Sequence, residues 1–541
     1  MLVADTFAHG RLVNPAHPMW AHFETMHAVV RPVYGSAFPI AQGAVLALGQ
    51  VLFHSPWIGV WLSVGLMCAA LCWMLQGWVS PGWALLGGVI VVARLGVLSY
   101  WMNSYWGGAV TAAGGALVLG TLGRARHRSR WQDTVPFGIG LALLANSRPY
   151  EGLLLAAPLL AALLWMLPRR PRPLLTLAPV LLIGAIALGG LAYYSWRFSG
   201  NPLRLPYTLY RDSSTVAPHF IFQAPRPAPV FRHRALRDFY LGWEVYHYEG
   251  GGGRTALLRI RNALDLYRTF YLGPVLTVTL LALPRMLRRR RARWLVLCLL
   301  FVAAGLSVEV WALPHYAAPA LGLALLIVVE ALRHWRVRWG AGPVWILAAG
   351  SCLAPVIGGS GVGADGRDRA QVVRSLERAG GRHLVIVRYS PSHDSGDEWV
   401  YNSADIDSAP IVWAREMDPT SNRELLDYFH GRSAWLVQPD RRPVPMAPYD
   451  FSMRPDPPFA FVPPGTEGIT VLRDPERIRR DILHAAEQEP PLERSCDRWN
   501  YLFTAQTGIG GPDPVNGCFP PGDRAHAVSL DDWYTWLRKQ R

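Results

Sequence analysis

Residues 57–79 read WIGVWLSVGLMCAALCWMLQGWV, a run without a single charge. A helix needs roughly 20 predominantly apolar residues to cross about 30 Å of hydrocarbon, so this stretch places the chain in a membrane. Working outward, comparable runs recur at 83–101, 106–122, 131–145, 152–167, 174–197, 267–287, 294–313, 316–334 and 344–358. Those at 131–145 and 152–167 are short and call for tilt or partial burial in protein. After residue 364 no such run occurs. The expected fold is an all-α polytopic membrane bundle of about ten transmembrane helices followed by a small soluble α/β domain. Its parts are an arm over 1–56, the membrane bundle over 57–358 with a long loop at 199–266, and a tail domain over 365–541. The arm ends in a short amphipathic stretch up to Phe53 that reads as lying on the membrane face. In the tail, apolar stretches at 383–389, 411–413 and 434–437 read as strands and 422–430 as a helix between them, which is an α/β alternation.

The net charge of +15 raises nucleic acid as a partner, and its placement argues against one. Residues 1–360 hold 31 basic and 11 acidic side chains, whereas residues 361–541 hold 22 and 27, so the excess lies in the membrane half. It gathers in four joints: Arg124, Arg126, Arg128 and Arg130; Arg169, Arg170 and Arg172; Arg285, Arg288–Arg291 and Arg293; and Arg333, Arg336 and Arg338. Basic joints stay in the cytoplasm. All four alternate correctly through ten spans, which puts the arm, the 199–266 loop and the tail domain outside. The expected location is the inner or plasma membrane with a periplasmic tail, and no nucleic acid is expected. Lys539 is the sole lysine, so every other cation is an arginine. Cys68, Cys72, Cys298 and Cys352 lie in apolar runs and read as small hydrophobes. Cys496 and Cys518 fall in the tail, where an outer location favours a disulfide between them.

Several outward-facing groups are chemically informative. The arm reads Ala4-Asp5-Thr6-Phe7-Ala8-His9-Gly10-Arg11, then His22-Phe23-Glu24-Thr25-Met26-His27, then Ala37-Phe38-Pro39-Ile40. Asp5 and Glu24 are carboxylates on the outer face. His9, His17, His22 and His27 match no strong metal spacing, so a divalent metal is not favoured and no cofactor is expected. Arg94 sits in mid-span, where a charge costs about 2.5–3.5 kcal/mol on insertion scales. It must face protein or a wet cavity, or pair with Glu309 or Glu330. Asn103 and Tyr105 lie in the polar-aromatic turn at 99–108, and His315-Tyr316 follow Pro314 at another outer turn. Asn146-Ser147-Arg148-Pro149-Tyr150-Glu151-Gly152 closes the outer end of the fourth span. Arg148 is either a phosphate ligand or a helix-end residue reaching for water; its position on the face poor in arginine favours the first.

Taken together these motifs resemble the C-type (GT-C) membrane glycosyltransferases, the superfamily of protein O-mannosyltransferases and lipid A aminoarabinose transferases. The resemblance covers the architecture of most of residues 1–358 through short motifs. It implies a GT-C-like bundle that takes a sugar from a polyprenyl-phosphate donor, a membrane lipid, and passes it to an extracytoplasmic acceptor that is a lipid, glycan or protein. Asn146–Gly152 looks like the family's Thr-Lys-Gly-Pro loop. By that likeness Arg148 holds the carrier phosphate, with Arg94, Asn103, Tyr105, His315 and Tyr316 as further carrier-binding candidates and Asp5, Glu24 and Glu151 as candidate acids. Two departures stand out. The family's first helix and its Asp-Glu pair would fall before Met1, and the Lys-Pro-Pro-like turn appears as Ala37-Phe38-Pro39-Ile40 without its lysine. A start codon placed too late accounts for the first. The other reading is a non-catalytic relative whose outer domain binds a partner.

Overall fold

A computed structural model describes residues 1–450 except 98, 126–130, 170–171, 249–255, 358–365, 391–392 and 442. The arm holds α1 (Leu2–Ala8), short strands β1 (Asn14–Pro15), β2 (Ala28–Val29) and β3 (Val33–Ser36), and α2 (Ile40–Phe53). The bundle follows with α3 (Pro56–Gln76), α4 (Pro81–Val91, continued by a π-helical turn Val92–Val97), α5 (Gly108–Ala125), α6 (Val135–Ser147), α7 (Pro149–Met166) and α8 (Pro173–Ser199). The long loop contains α9 (Pro206–Ser214). Then come α10 (Ala256–Tyr271), α11 (Gly273–Thr279), α12 (Arg290–Ser307), α13 (Leu321–Trp339) and α14 (Gly342–Ile357).

Helices therefore lie over each of the ten apolar runs, and fewer than ten of them reach spanning length among the described residues. Among the described residues, four stretches are long and apolar enough to cross a membrane: Pro56–Gln76, Pro149–Arg169, Pro173–Ser199 and Ala318–Trp339. A fifth is a pair, Leu257–Tyr271 and Gly273–Met286, bent by 97°. The run at 267–287, expected as one straight span, is this broken pair. The membrane assignment rests on surface chemistry as well as length. On α8, Leu174 is 82% and Leu181 65% exposed, with Leu182, Ile186 and Leu188 beside them. An unbroken exposed apolar face of that kind is stable in lipid and not in water.

Small residues set how closely the bundle packs. Helix α5, GAVTAAGGALVLGTLGRA, is buried almost throughout and touches α3, α6, α7 and α13. A Cβ on Gly115 would stand 2.0 Å from the Pro319 carbonyl oxygen, and one on Gly140 of α6 2.6 Å from that of Gly114. With no hydrophobic drive between helices in lipid, such backbone approaches supply the packing.

The tail begins with α15 (Arg367–Ala379) and forms β4 (His383–Val387), β5 (Ile411–Arg415), α16 (Pro419–Tyr428), β6 (Ser433–Val437) and β7 (Met446–Pro448). The sheet order is β5-β4-β6-β7. β4 runs parallel to both β5 and β6, pairing His383 with Ile411 and with Ser433, while β7 is antiparallel to β6. His-Leu-Val-Ile-Val of β4 is buried at all five positions, as a central parallel strand covered on both faces must be. One cover is α15, through Val372 and Leu376. The other is shared between α16 and the arm: Phe23 and Tyr34 join Leu384, Ile386 and Leu425 in one core. Arm and tail, separate in sequence, thus pack as one unit. Cys496 and Cys518 lie outside the described residues.

Gly115→Ala should lower the thermal midpoint in detergent, since overpacking a close contact costs about 1–3 kcal/mol. Gly184→Ala on α8, where an added Cβ meets nothing within 4 Å, should leave it unchanged. Equal midpoints for the two variants, measured by thermal-shift fluorescence, would refute the role given to α5.

Candidate active site

Proline at 149 disfavours helical backbone for the residue before it. Helix α6 therefore stops at Ser147, Arg148 adopts φ −143° and ψ 81°, and α7 starts afresh. The break places the guanidinium at one end of the bundle. Its Nη1 lies 3.4 Å from Glu151 Oε1, and its Cζ sits 4.3 Å over the ring of Tyr316. Glu151 is in the first turn of α7, where the free amide N–H groups favour an acid. Next to it, the Tyr150 hydroxyl donates to the Gly305 carbonyl at 2.9 Å and ties α7 to α12.

Glu309 completes the group from just beyond the end of α12, outside the spanning helices. The long loop pins its backbone: Ile221 N–H donates to Val308 O at 2.9 Å, and Val310 N–H to His219 O at 3.0 Å. Both carboxylate oxygens of Glu309 are buried with no hydrogen-bond partner among the described residues. Burial, reinforced by Glu151 nearby and opposed by Arg148, pushes its pKa up to about 9. Glu309 is thus a neutral acid at physiological pH. The Tyr267 hydroxyl, His315 Nε2 and Ser147 Oγ are likewise buried without partners among the described residues. Tyr267 faces Glu309, Tyr316, Glu151 and Arg148. His315 Nδ1 is 3.0 Å from the Tyr100 hydroxyl; burial first, then Arg148, holds its pKa well below the usual range, so the ring is neutral. A buried polar atom left unpaired costs about 1–3 kcal/mol. Three of these residues, Glu309, Tyr267 and His315, lie within the electrostatic reach of Arg148, and unpaired buried groups of this kind are open to water, an ion or a polar ligand.

The loop roofs this cluster. Tyr150 packs against Phe220 at 4.9 Å and His219 at 6.0 Å. His219 is held down at about 4 by burial, then by Arg211, Arg148 and Arg226. Glu244, also in the loop, is pushed up to about 8 by burial despite Arg211 and Arg226.

The sequence-based candidates divide. Arg148, Glu151, His315 and Tyr316 come together. Asp5 does not join them: it accepts from Gln50 Nε2 at 2.9 Å and from the Ala404 N–H at 2.6 Å, tying α1 to α2 and to the tail. Glu24 pairs with Arg232 at 3.3 Å and His233 at 3.4 Å, while its carbonyl accepts from Arg415 Nε at 2.7 Å. Asp5 is engaged in assembly, and Glu24 in part, since its Oε2 is buried with no hydrogen-bond partner among the described residues. Asn103 is exposed and donates to the Ser99 carbonyl, and Tyr105 stacks 4.7 Å from Trp57. Arg94 pairs with neither Glu309 nor Glu330. It donates to the carbonyls of Phe270, Tyr271 and Ser351 at 3.3, 3.3 and 3.5 Å, capping α10 where the chain turns. Gly273, at φ +63°, makes that turn, and a Cβ there would meet the Arg94 guanidinium at 2.9 Å. Glu330 instead bridges Arg291 and Arg333. The arm histidines disperse: His9 bonds the Asp5 carbonyl, His17 Asp407, His22 the Arg415 and Ser421 carbonyls, and His27 Tyr210. Glu309 and Tyr267 had no assigned part in the site. The available signal was a carboxylate in Ser307-Val308-Glu309-Val310-Trp311, closing an apolar run that is otherwise free of acids.

No family model matches the chain, and no curated protein matches it in sequence. Among solved structures it is similar to the crystal structure of ArnT from Cupriavidus metallidurans in the apo state, with 13% identity and a TM-score of 0.44 over 81% of this chain and 91% of that one.

Because the Glu309 pKa is raised on folding, its neutral form supports the fold fully below the unfolded value of 4.5. That support is lost as pH climbs through about 9. Glu309→Gln, which cannot ionise, should therefore gain thermal midpoint relative to the native chain as pH rises across that window. A constant difference between the two proteins at every pH would contradict the assignment.

Proposed function

We propose that the protein is a C-type membrane glycosyltransferase that moves a sugar from a polyprenyl-phosphate donor to an acceptor outside the cytoplasm. The observation that carries this reading is Arg148, mostly buried beside Glu151 and near Glu309, whose carboxylate has no hydrogen-bond partner among the described residues, at one end of an apolar bundle and under a loop. A lipid-linked sugar phosphate lays its headgroup at the membrane surface with its chain in the bilayer, where Arg148 and the apolar helices can receive both. The guanidinium fork suits phosphate oxygens. A neutral Glu309 donates a hydrogen bond to the phosphate instead of repelling it. Glu151, in contact with Arg148, is the carboxylate left to take the acceptor's proton. In that step the acceptor oxygen bonds to the anomeric carbon as the bond from that carbon to the phosphate oxygen breaks. Polyprenyl phosphate leaves on Arg148, and the acceptor proton passes to Glu151. No metal or other cofactor is assigned a part.

The non-catalytic reading draws on Asp5 and Glu24, the arm's carboxylates, being engaged in holding arm, loop and tail together. The same contacts favour one shared side for these three parts and Arg148, the side expected to be periplasmic.

Release of polyprenyl phosphate from defined donor lipids in nanodiscs separates the readings. Arg148→Ala should lower turnover about 100-fold or more, the scale of removing one transition-state donor, and Arg148→Lys should restore it only in part. Glu151→Gln should cost about 100-fold or more. Glu309→Gln keeps a neutral donor and should stay within about tenfold of the native rate. Native turnover in Arg148→Ala would end the enzymatic proposal, as would reporter fusions placing Arg148 in the cytosol.

A further inference from the structure

The opposite end of α12 and α13 carries a second feature. Helix α12 runs from Arg290 to Ser307 and α13 from Leu321 to Trp339, so the pair is tied to Glu309 and Tyr316 at one end and to an arginine-rich cavity at the other. At 1.5 Å per residue the two ends of α12 stand roughly 27 Å apart, close to the hydrocarbon thickness of a bilayer. The cavity has a volume of about 560 Å³. Its rim presents Arg289, Arg291, Arg333, Arg336 and His334, and its walls are apolar, including Leu295, Val296 and Ile327.

The rim is unbalanced. Glu330 is its sole acid, and it is held between Arg291 at 3.1 Å and Arg333 at 3.2 Å. Arg291 also donates to the Trp78 carbonyl at 2.8 Å, which fixes its direction. Arg289 and Arg336 are exposed and have no ion pair among the described residues. Arg291 Nε and His334 Nε2 are buried without hydrogen-bond partners among the described residues. Four arginines against one glutamate leave an excess of positive charge over an apolar cleft. From the cavity wall, α12 continues with Leu297, Leu300 and Phe301 exposed on its outer side.

We propose that this cavity holds an anionic glycerophospholipid of the leaflet facing the basic joints, its phosphate among Arg289, Arg291, Arg333 and Arg336 and its acyl chains along α12. Charge complementarity selects the headgroup: arginine forks bind phosphate, and basic pockets between spanning helices suit anionic lipid heads. The apolar wall selects a lipid over a soluble anion. The site is separate from the Arg148 cluster and stands whether or not that cluster is catalytic.

The test is native mass spectrometry of the full chain exchanged into mixed micelles of phosphatidylglycerol or phosphatidylcholine. One phosphatidylglycerol should remain bound after activation that strips phosphatidylcholine. Arg289→Gln with Arg336→Gln, two exposed positions whose replacement spares the Glu330 bridges, should lower its occupancy about tenfold, while the thermal midpoint without lipid stays unchanged. Equal retention of both lipids, or undiminished phosphatidylglycerol in the double variant, overturns the proposal. Stabilisation by inorganic phosphate alone, matching that by phosphatidylglycerol, overturns the choice of a lipid.

Discussion

A guanidinium that leaves water must find its hydrogen bonds and countercharge in the protein, and this constraint organises the molecule from the membrane outward. Arg94 meets it with backbone carbonyls. The last carbonyls of α10 have no amide to receive, the chain turns through 97°, and the arginine fills the gap that the turn opens. Arg148 meets it with Glu151 and the face of Tyr316. Arg415, the last residue of β5 and almost wholly buried, meets it with Glu398 and the Glu24 carbonyl. For Arg94 and Arg148 the chain departs from regular structure where the cation sits, and there the cation is what makes the departure tolerable. A fork of five donors can serve several acceptors at once, which a lysine cannot do in the same geometry.

The packing of α5 decides where those departures fall. Because its glycines and alanines let α6, α13 and the turn before α13 approach at backbone distance, little room is left in the middle of the bundle for polar groups. Charge is driven to the two ends. At one end the π-helical turn, the Arg148 break and the turn at Pro314–Tyr316 bring Tyr100, Arg148, His315 and Tyr316 together. At the other, the arginines of the joints crowd around Glu330. Helices α12 and α13 join the two ends, so the ends cannot be rearranged independently.

The bundle was legible in the sequence because a span announces itself by length and lack of charge, and the tail sheet because an apolar strand such as His383–Val387 has no other stable place. Arg148 was legible for a local reason: a cation before a proline, on the face with few cations. What escaped reading depended on contacts between distant segments. The break at Gly273 leaves only a Leu-Gly-Pro sequence inside an apolar run, and one residue's positive φ is not written in hydropathy. Glu309 shows its carboxylate but not its isolation, since isolation follows from the loop strand at 219–221 closing over it. Asp5 and Glu24 read the other way, since neither joins the Arg148 cluster. Outward orientation is an expectation from topology; facing Arg148 is a property of packing, and the tail claims Asp5 while the loop claims the Glu24 carboxylate.

That claim bears on how the site can work. With Asp5 bound to the Ala404 amide and Glu24 to Arg232, the arm contributes enclosure, and the groups of the proposed site come from the helix ends. A site enclosed in this way strengthens every remaining charge, because less water screens it. The same enclosure keeps Glu309 neutral and His315 unprotonated, so that one cation, Arg148, dominates the pocket. An anion arriving there meets the Arg148 guanidinium, offset in part by Glu151 at 3.4 Å, with neutral donors at its edge. A cation meets the reverse. The phosphate of the proposed donor fits that asymmetry, before any particular sugar or acceptor is considered.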